Sequence, residues 1–176
     1  MITQEDVWRM DGAALADLIA HGHPIDLTAL RGPYRGVSLG LGQLVERVTW
    51  KTFRKRFWLD EATGDVVGHN ERLEQTGLDG PITERRDRSG RVVSFGPFLV
   101  RPLPAGGTPF HCRAGLLLDY GARHPAWHPL ARLRDPIVAL HEGSTQLLLG
   151  ASYLAVGAGL KTPSFFTLEA EPPGAA

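Results

Sequence analysis

The fold of this chain is indicated by one stretch, TFRKRFWLDEATGDVVGHNERLEQ, which occupies positions 52–75. Over positions 52–57, the odd-numbered residues Phe53, Lys55 and Phe57 alternate with the polar residues Thr52, Arg54 and Arg56. This period of two is typical of a β-strand. Residues 60–64, DEATG, have the composition of a tight turn, and a second strand-like segment follows over 66–75. The stretch therefore predicts a β-hairpin.

The same arrangement of short strands and turns recurs in the rest of the chain. Further strands are predicted over 82–87, 91–101, 110–119, 134–140, 145–155 and 162–168. Because no helical pattern separates them, parallel crossovers are not expected, and closure into a barrel would remove the exposed sheet edges. We predict a mainly β fold, a single domain in which residues 49–169 form a closed antiparallel barrel of about eight strands. A two-sheet sandwich is the alternative.

The N-terminal residues 1–48 are predicted to form a helical segment that packs on the barrel. Thr3 followed by two acidic residues is typical of a helix start, and an apolar stripe at helical spacing runs through 40–48. The predicted strand 145–155 is apolar on both faces, so its outer face needs a cover. The N-terminal helices or a second subunit could supply it, which leaves a homodimer open. Residues 170–176 are predicted to be a disordered tail.

Composition narrows the class of protein. Lysine plus arginine equals aspartate plus glutamate, 19 against 19, so nucleic acid is not expected as a partner. Cys112 is the single cysteine, which favours a reducing, cytoplasmic compartment. No stretch approaches the roughly 18 apolar residues of a membrane helix, and the first residues do not read as a signal peptide, so no membrane insertion is expected.

A glycine-rich segment, GPYRGVSLG at 32–40, carries a family resemblance. It resembles the G-x-W-x-G opening of lipocalin-like (calycin) barrels, with Tyr34 at the position of the tryptophan. The stretch from Leu118 to Phe166 also looks similar to the end of G-x-W-x-G-type bacterial domains of unknown function. The resemblance implies that Gly32, Tyr34 and Gly36 form a barrel-end plug. It also implies a small apolar ligand or no known function, and it does not imply a particular reaction.

Five residues are candidate ligand-binding residues. His69 and Glu71 share one strand face, and if that face points inward, the pair could act as a general base or anchor a polar ligand group. If Arg113 is buried, it could bind the anionic head group of a ligand or pair with Glu71. Tyr120 flanks a long loop, and Tyr153 belongs to the doubly apolar strand. The alternative for the charged residues is a solvated surface or a satisfied pair.

Other chemistry is not indicated. Pro125 and Pro129 argue against a helical metal pair at His124 and His128, and haem of the calycin type would need a histidine after His141. We therefore predict no metal and no cofactor. The basic residues in 51–56 are assigned to cross-strand pairs with the acidic residues of the hairpin.

We predict a protein that binds a small apolar or amphipathic ligand in its barrel. One alternative is an enzyme, an isomerase, cyclase or hydrolase, that acts on a lipid-like substrate in the same cavity. The other is a homodimeric interaction module with a filled barrel.

Overall fold

A computed structural model of the chain describes residues 1–39, 51–78 and 80–172. Two short helices, α1 (Gln4–Trp8) and α2 (Gly12–Ala20), precede the strands. The eight strands are β1 (Gly32–Leu39), β2 (Thr52–Leu59), β3 (Val66–Arg72), β4 (Ser94–Pro102), β5 (Leu116–Asp119), β6 (Leu133–Ala139), β7 (Leu147–Leu154) and β8 (Leu160–Ala170). Two 3₁₀ turns, Gly121–Arg123 and Pro129–Arg132, lie between β5 and β6. The helix predicted over 40–48 lies outside the described residues.

The strands form one closed antiparallel barrel. Each strand pairs with the next one along the chain, and β8 pairs back with β1, from Tyr34 opposite Ala170 to Leu39 opposite Phe165. Closure leaves no unpaired sheet edge among these strands, as expected for a sheet of eight. The prediction of a mainly β, eight-stranded antiparallel barrel with N-terminal helices is confirmed.

One of the eight predicted strands is wrong, and a different segment takes its place in the barrel. Residues 32–39, assigned to the helical segment, form β1, whereas residues 82–87 contribute only isolated bridges, Leu73 to Glu84 and Arg86 to Val92. Glycines obscure the strand pattern of β1. The barrel requires a glycine at position 36, because an added Cβ would lie 2.3 Å from the Phe53 ring. Residues 84–91 are almost entirely polar, so they offer no apolar face to bury.

An outer hydrophobic layer joins the helices to the barrel. Val7 of α1 and Leu15 and Ile19 of α2 belong to one buried cluster with Leu147 and Leu149 on the outer face of β7. Thr3 caps α1, since its hydroxyl accepts a hydrogen bond from the Asp6 amide and the Asp6 carboxylate accepts one in return. The helices thus supply the cover that the doubly apolar strand requires, and a homodimer stays a prediction.

A second hydrophobic cluster fills the barrel interior at the end where β1 begins. Tyr34 packs edge-on against Phe57, and Phe57 packs in turn against Phe98, with ring centroids 5.3 and 5.5 Å apart. Leu30, from the segment that leads into β1, is buried in the same cluster. This half of the barrel is therefore solid.

The C-terminal strand continues further than the predicted Leu168. It runs to Ala170, and Glu171 beyond it is buried against Arg54, so the first residues of the predicted tail pack on the barrel, while residues 173–176 lie outside the described residues. Within the described ranges, neither helix is long and apolar enough to cross a membrane.

Candidate functional site

A cavity of about 320 Å³ occupies the other half of the barrel, near the end where β1 finishes and β2 starts. Its walls are largely aromatic and aliphatic, and they include Phe53, Phe95, Leu130 and Phe166. Five of its polar side chains are joined by hydrogen bonds: Lys55, Asn70, Tyr120, Asp135 and Ser152. We refer to these five residues as the Lys55 cluster. An apolar pocket with a few convergent polar groups is the usual form of a small-molecule site.

Lys55 is the central group of this cluster. It lies on the inward face of β2 between Phe53 and Phe57, and only 3% of its surface is exposed. Its ammonium Nζ donates hydrogen bonds to Asn70 Oδ1 and to the Tyr120 hydroxyl, both at 2.7 Å. A buried lysine requires such partners, because an unpaired charge away from water is strongly unfavourable.

Asp135 supplies the opposite charge. Its Oδ2 lies 3.4 Å from Lys55 Nζ and accepts a hydrogen bond from the Tyr120 hydroxyl at 3.1 Å. Its Oδ1 accepts a hydrogen bond from the Ser152 hydroxyl at 2.8 Å. Both carboxylate oxygens are therefore held in place, and Tyr120 connects the lysine to the carboxylate.

Four aromatic rings surround the Lys55 ammonium. The centroids of Phe53, Phe98, Tyr120 and Phe166 lie between 5.1 and 5.4 Å from Nζ. Rings at this distance stabilise a cation through their negative faces while they keep water away from it. The amine therefore lies between its hydrogen-bond partners and the aromatic rings, at the wall of the cavity.

The surroundings alter the proton affinities of this cluster. Burial lowers the pKa of Lys55, and the nearby Asp135 carboxylate opposes that effect only in part. Burial raises the pKa of Tyr120 well above its usual value, and the negative charge of Asp135 adds to the rise. Tyr120 therefore remains a neutral phenol at physiological pH, able to donate and accept hydrogen bonds.

One backbone feature positions the Lys55 cluster. Gly96 of β4 has a φ of 54°, and its carbonyl accepts a hydrogen bond from Asn70 Nδ2 at 3.2 Å. A Cβ there would lie 3.0 Å from that nitrogen and 3.2 Å from the Tyr120 ring. Glycine thus allows both the left-handed backbone and the close approach of the two side chains.

Of the predicted ligand-binding residues, the structure places Tyr120 in the cavity. His69 and Glu71 lie on the outer face of β3, since Asn70 between them faces inward. Arg113 is exposed in the loop before β5, and Tyr153 belongs to the outer hydrophobic layer. The structure does not bring these four residues to the cavity.

The predicted barrel-end plug lies away from the cavity. Tyr34 is fully buried in the solid half, and Gly32 starts β1 with a φ of 84°. Gly36 faces the Phe53 ring, which lines the cavity. Tyr34 thus packs the interior at the end where β1 begins.

His69 and Glu71 belong instead to a charged network outside the barrel. Arg54 contacts Glu171 through two hydrogen bonds of 2.7 Å and Glu84 through one of 2.7 Å. Glu71 accepts hydrogen bonds from Arg54 at 3.3 Å and from Arg56 and His69 at 2.7 and 3.0 Å. Burial raises the pKa of Glu71, but the bonds from His69 and the two arginines outweigh it and set the pKa at about 2. The predicted pairing of basic residues with Glu71 across the hairpin is confirmed for Arg54 and Arg56.

Sequence reasoning missed Lys55, Asn70, Asp135 and Ser152 as site residues. A signal for Lys55 was present, because a lysine that shares a strand face with Phe53 and Phe57 on a barrel strand points to a buried amine. Asp135 shares with Tyr120 the signal of flanking the long loop, and for Ser152 the local pattern contains nothing comparable. In the described ranges, no group of three or more His, Cys, Asp or Glu side chains is arranged to hold a metal ion.

We compared the chain with protein-family models, with curated proteins and with solved structures, and none of the three comparisons finds a significant match. The residues of the cavity therefore carry the functional proposal.

Proposed function

We propose that this protein is a lipocalin-like binding protein that holds a small amphipathic molecule in its barrel. The observation that carries the proposal is a buried, hydrogen-bonded lysine that lines a cavity with aromatic walls. The cavity volume of about 320 Å³ suits a molecule of modest size. The apolar body of the ligand lies against Phe53, Phe95 and Phe166, and its polar end faces the Lys55 cluster.

The charges of the cluster define the polar end of the ligand. Lys55 and Asp135 balance each other, so a strongly anionic group would meet the Asp135 carboxylate as well as the ammonium. A neutral oxygen, as in an alcohol, aldehyde or ketone, can instead accept from Lys55 in place of its 3.4 Å contact with Asp135. Asp135 keeps two donors in that event, Tyr120 and Ser152.

A second polar point lies on a neighbouring part of the wall, since β8 pairs with β7, the strand that carries Ser152. Ser164 of β8 lines the cavity, and in the part of the chain that the structure describes its hydroxyl has no hydrogen-bond partner. A hydroxyl without a protein partner at a cavity wall is available to a ligand or to water. It provides a position at which the cavity can be blocked without replacing a residue of the Lys55 cluster.

The test is a calorimetric titration with three neutral probes: 4-isopropylbenzyl alcohol, 2-naphthol and 1-octanol. We expect at least one probe to bind with a stoichiometry of one. In Ser164→Phe the added ring occupies the cavity, and binding is lost. Ser94→Phe adds the same ring at an exposed position of β4 and retains binding. Thermal unfolding of both variants checks that they fold. If none of the probes binds, or if Ser164→Phe binds like the natural protein, the proposal fails.

A further inference from the structure

We propose that Lys55 attacks the carbonyl carbon of an aldehyde or ketone ligand and holds it as an imine. This inference rests on the proposed function, because it requires a ligand in the same cavity. It narrows the ligand to a carbonyl compound with an apolar body. It is carried by the position of Lys55 Nζ at the cavity, within hydrogen-bond distance of a neutral phenol that is itself bonded to a carboxylate.

The first requirement of imine formation is an amine that is available as a nucleophile. A lysine becomes nucleophilic in proteins when an apolar environment disfavours its charged form. Lys55 is among the most buried charged residues of the described chain, and four aromatic rings surround its nitrogen. The lowered pKa of Lys55 agrees with this geometry.

The second requirement is a group that moves protons during the reaction. The Lys55 ammonium first passes one proton through the Tyr120 hydroxyl to the Asp135 carboxylate. The free amine attacks the carbonyl carbon, the C=O π electrons move to oxygen, and one proton moves from nitrogen to that oxygen, which gives a neutral carbinolamine. The proton held by Asp135 then returns to the hydroxyl, which leaves as water while the nitrogen lone pair forms the C=N bond of the protonated imine. The Tyr120 hydroxyl, 2.7 Å from Nζ, is placed to supply and recover the proton, so the step needs no oxidant or reductant.

The third requirement is a charge that stabilises the product. A protonated imine carries the same single positive charge as the ammonium it replaces. Asp135 Oδ2, 3.4 Å from Nζ and held by Tyr120, is its counter-ion. Ser152 fixes the other carboxylate oxygen, so Asp135 keeps its position while the lysine exchanges hydrogen bonds for a covalent bond.

The chain provides its own control for selectivity. It contains three lysines, Lys51, Lys55 and Lys161. Lys161 is exposed on β8, and neither it nor Lys51 lines the cavity. A reaction that depends on the cavity therefore marks Lys55, whereas random modification favours the accessible amines.

The experiment incubates the full chain with 4-isopropylbenzaldehyde and sodium cyanoborohydride, which reduces an imine to a stable secondary amine. Intact mass and peptide mapping then locate the product. We expect one adduct at Lys55, formed faster than any at Lys51, Lys161 or the N-terminus, and suppressed by excess 4-isopropylbenzyl alcohol. Tyr120→Phe should slow trapping by about 100-fold, since proton transfer by a positioned group contributes on this scale. Lys55→Arg keeps a cation and should lose the adduct.

The outcomes separate this inference from the proposed function. Labelling of Lys51, Lys161 and the N-terminus without Lys55, in a protein that still binds 4-isopropylbenzyl alcohol, overturns the imine and leaves the binding function standing. A protein that binds none of the alcohol probes and also forms no Lys55 adduct overturns both. The mapping uses the natural sequence, so the result does not depend on whether a variant folds.

Discussion

Replacement of Lys55 by methionine tests whether Lys55 and Asp135 form a true buried ion pair. Lys55 and Asp135 expose only 3% and 4% of their side chains, and their charged atoms are 3.4 Å apart. At an effective dielectric constant of about 20, two unit charges at this separation attract by about 5 kcal/mol before desolvation is subtracted. Removal of one partner of a buried pair typically costs about 3–5 kcal/mol, because the other charge is left uncompensated.

The local contacts place the expected loss at the lower end of that range. Methionine fits among the aromatic rings, and Asp135 retains hydrogen bonds from Tyr120 and Ser152. We expect Lys55→Met to lower the free energy of unfolding by about 3 kcal/mol, which for a chain of this size lowers Tm by about 6–12 °C. The double variant that adds Asp135→Asn removes both charges and should be more stable than the sum of the single losses predicts, by about 2 kcal/mol.

The assay is urea unfolding at pH 7, monitored by circular dichroism. The m-value, which is the slope of the unfolding free energy against urea concentration, should be the same for each variant and the natural protein. Lys161→Met is the matched control. It removes an exposed lysine and should cost less than about 1 kcal/mol. If Lys55→Met is as stable as the natural protein, or if the two single losses simply add, Lys55 and Asp135 do not form the coupled pair described above.

Three further changes test other parts of the structure. Burial acts to raise the pKa of Glu71, yet its basic neighbours hold it at about 2, so its carboxylate stabilises the fold above pH 4.5 and this contribution fades as the pH falls toward 2. The stability gap between the natural protein and Glu71→Gln, measured by urea unfolding at pH 7, 4.5 and 3, should therefore shrink at the lowest pH; a constant gap contradicts this. Gly68→Ala should cost about 1–3 kcal/mol, because the new Cβ would lie 2.4 Å from a backbone carbonyl oxygen that cannot move aside; a Tm equal to that of the natural protein would refute it. Phe98→Ala, which empties a fully buried position, should cost about 3–5 kcal/mol, while Leu59→Ala at an exposed position should change the stability by less than about 0.5 kcal/mol; equal losses would contradict the packing of the solid half.

Much of the fold could be predicted from local pattern. The alternation in 52–57 and the turn at 60–64 correctly indicated the hairpin of β2 and β3. The number of strands was right, but β1 was not recognised as a strand, because its glycines meet requirements of the barrel that no neighbouring residue reveals. Gly36, for example, is needed only because Phe53 of the paired strand crosses over it.

The candidate site was largely beyond such reasoning. Tyr120, which was singled out because it flanks a loop, lies at the cavity, whereas His69 and Glu71, predicted as ligand-binding residues, lie on the outer face of β3. The pattern of β3 correctly grouped His69 with Glu71 and set Asn70 apart from them. What it left undecided was which of the two faces turns inward.

The sequence alone determined that inward and outward side chains alternate along the strands and that an apolar strand needs an outer cover, and it favoured an antiparallel barrel over a two-sheet sandwich. Each of these follows from short-range periodicity and from the need to satisfy backbone hydrogen bonds. Only the tertiary structure decided that Lys55 meets Asp135, 80 positions away, inside that barrel. The physical reason is that alternation fixes which residues share a face, whereas closure and packing of all eight strands fix which face encloses the cavity.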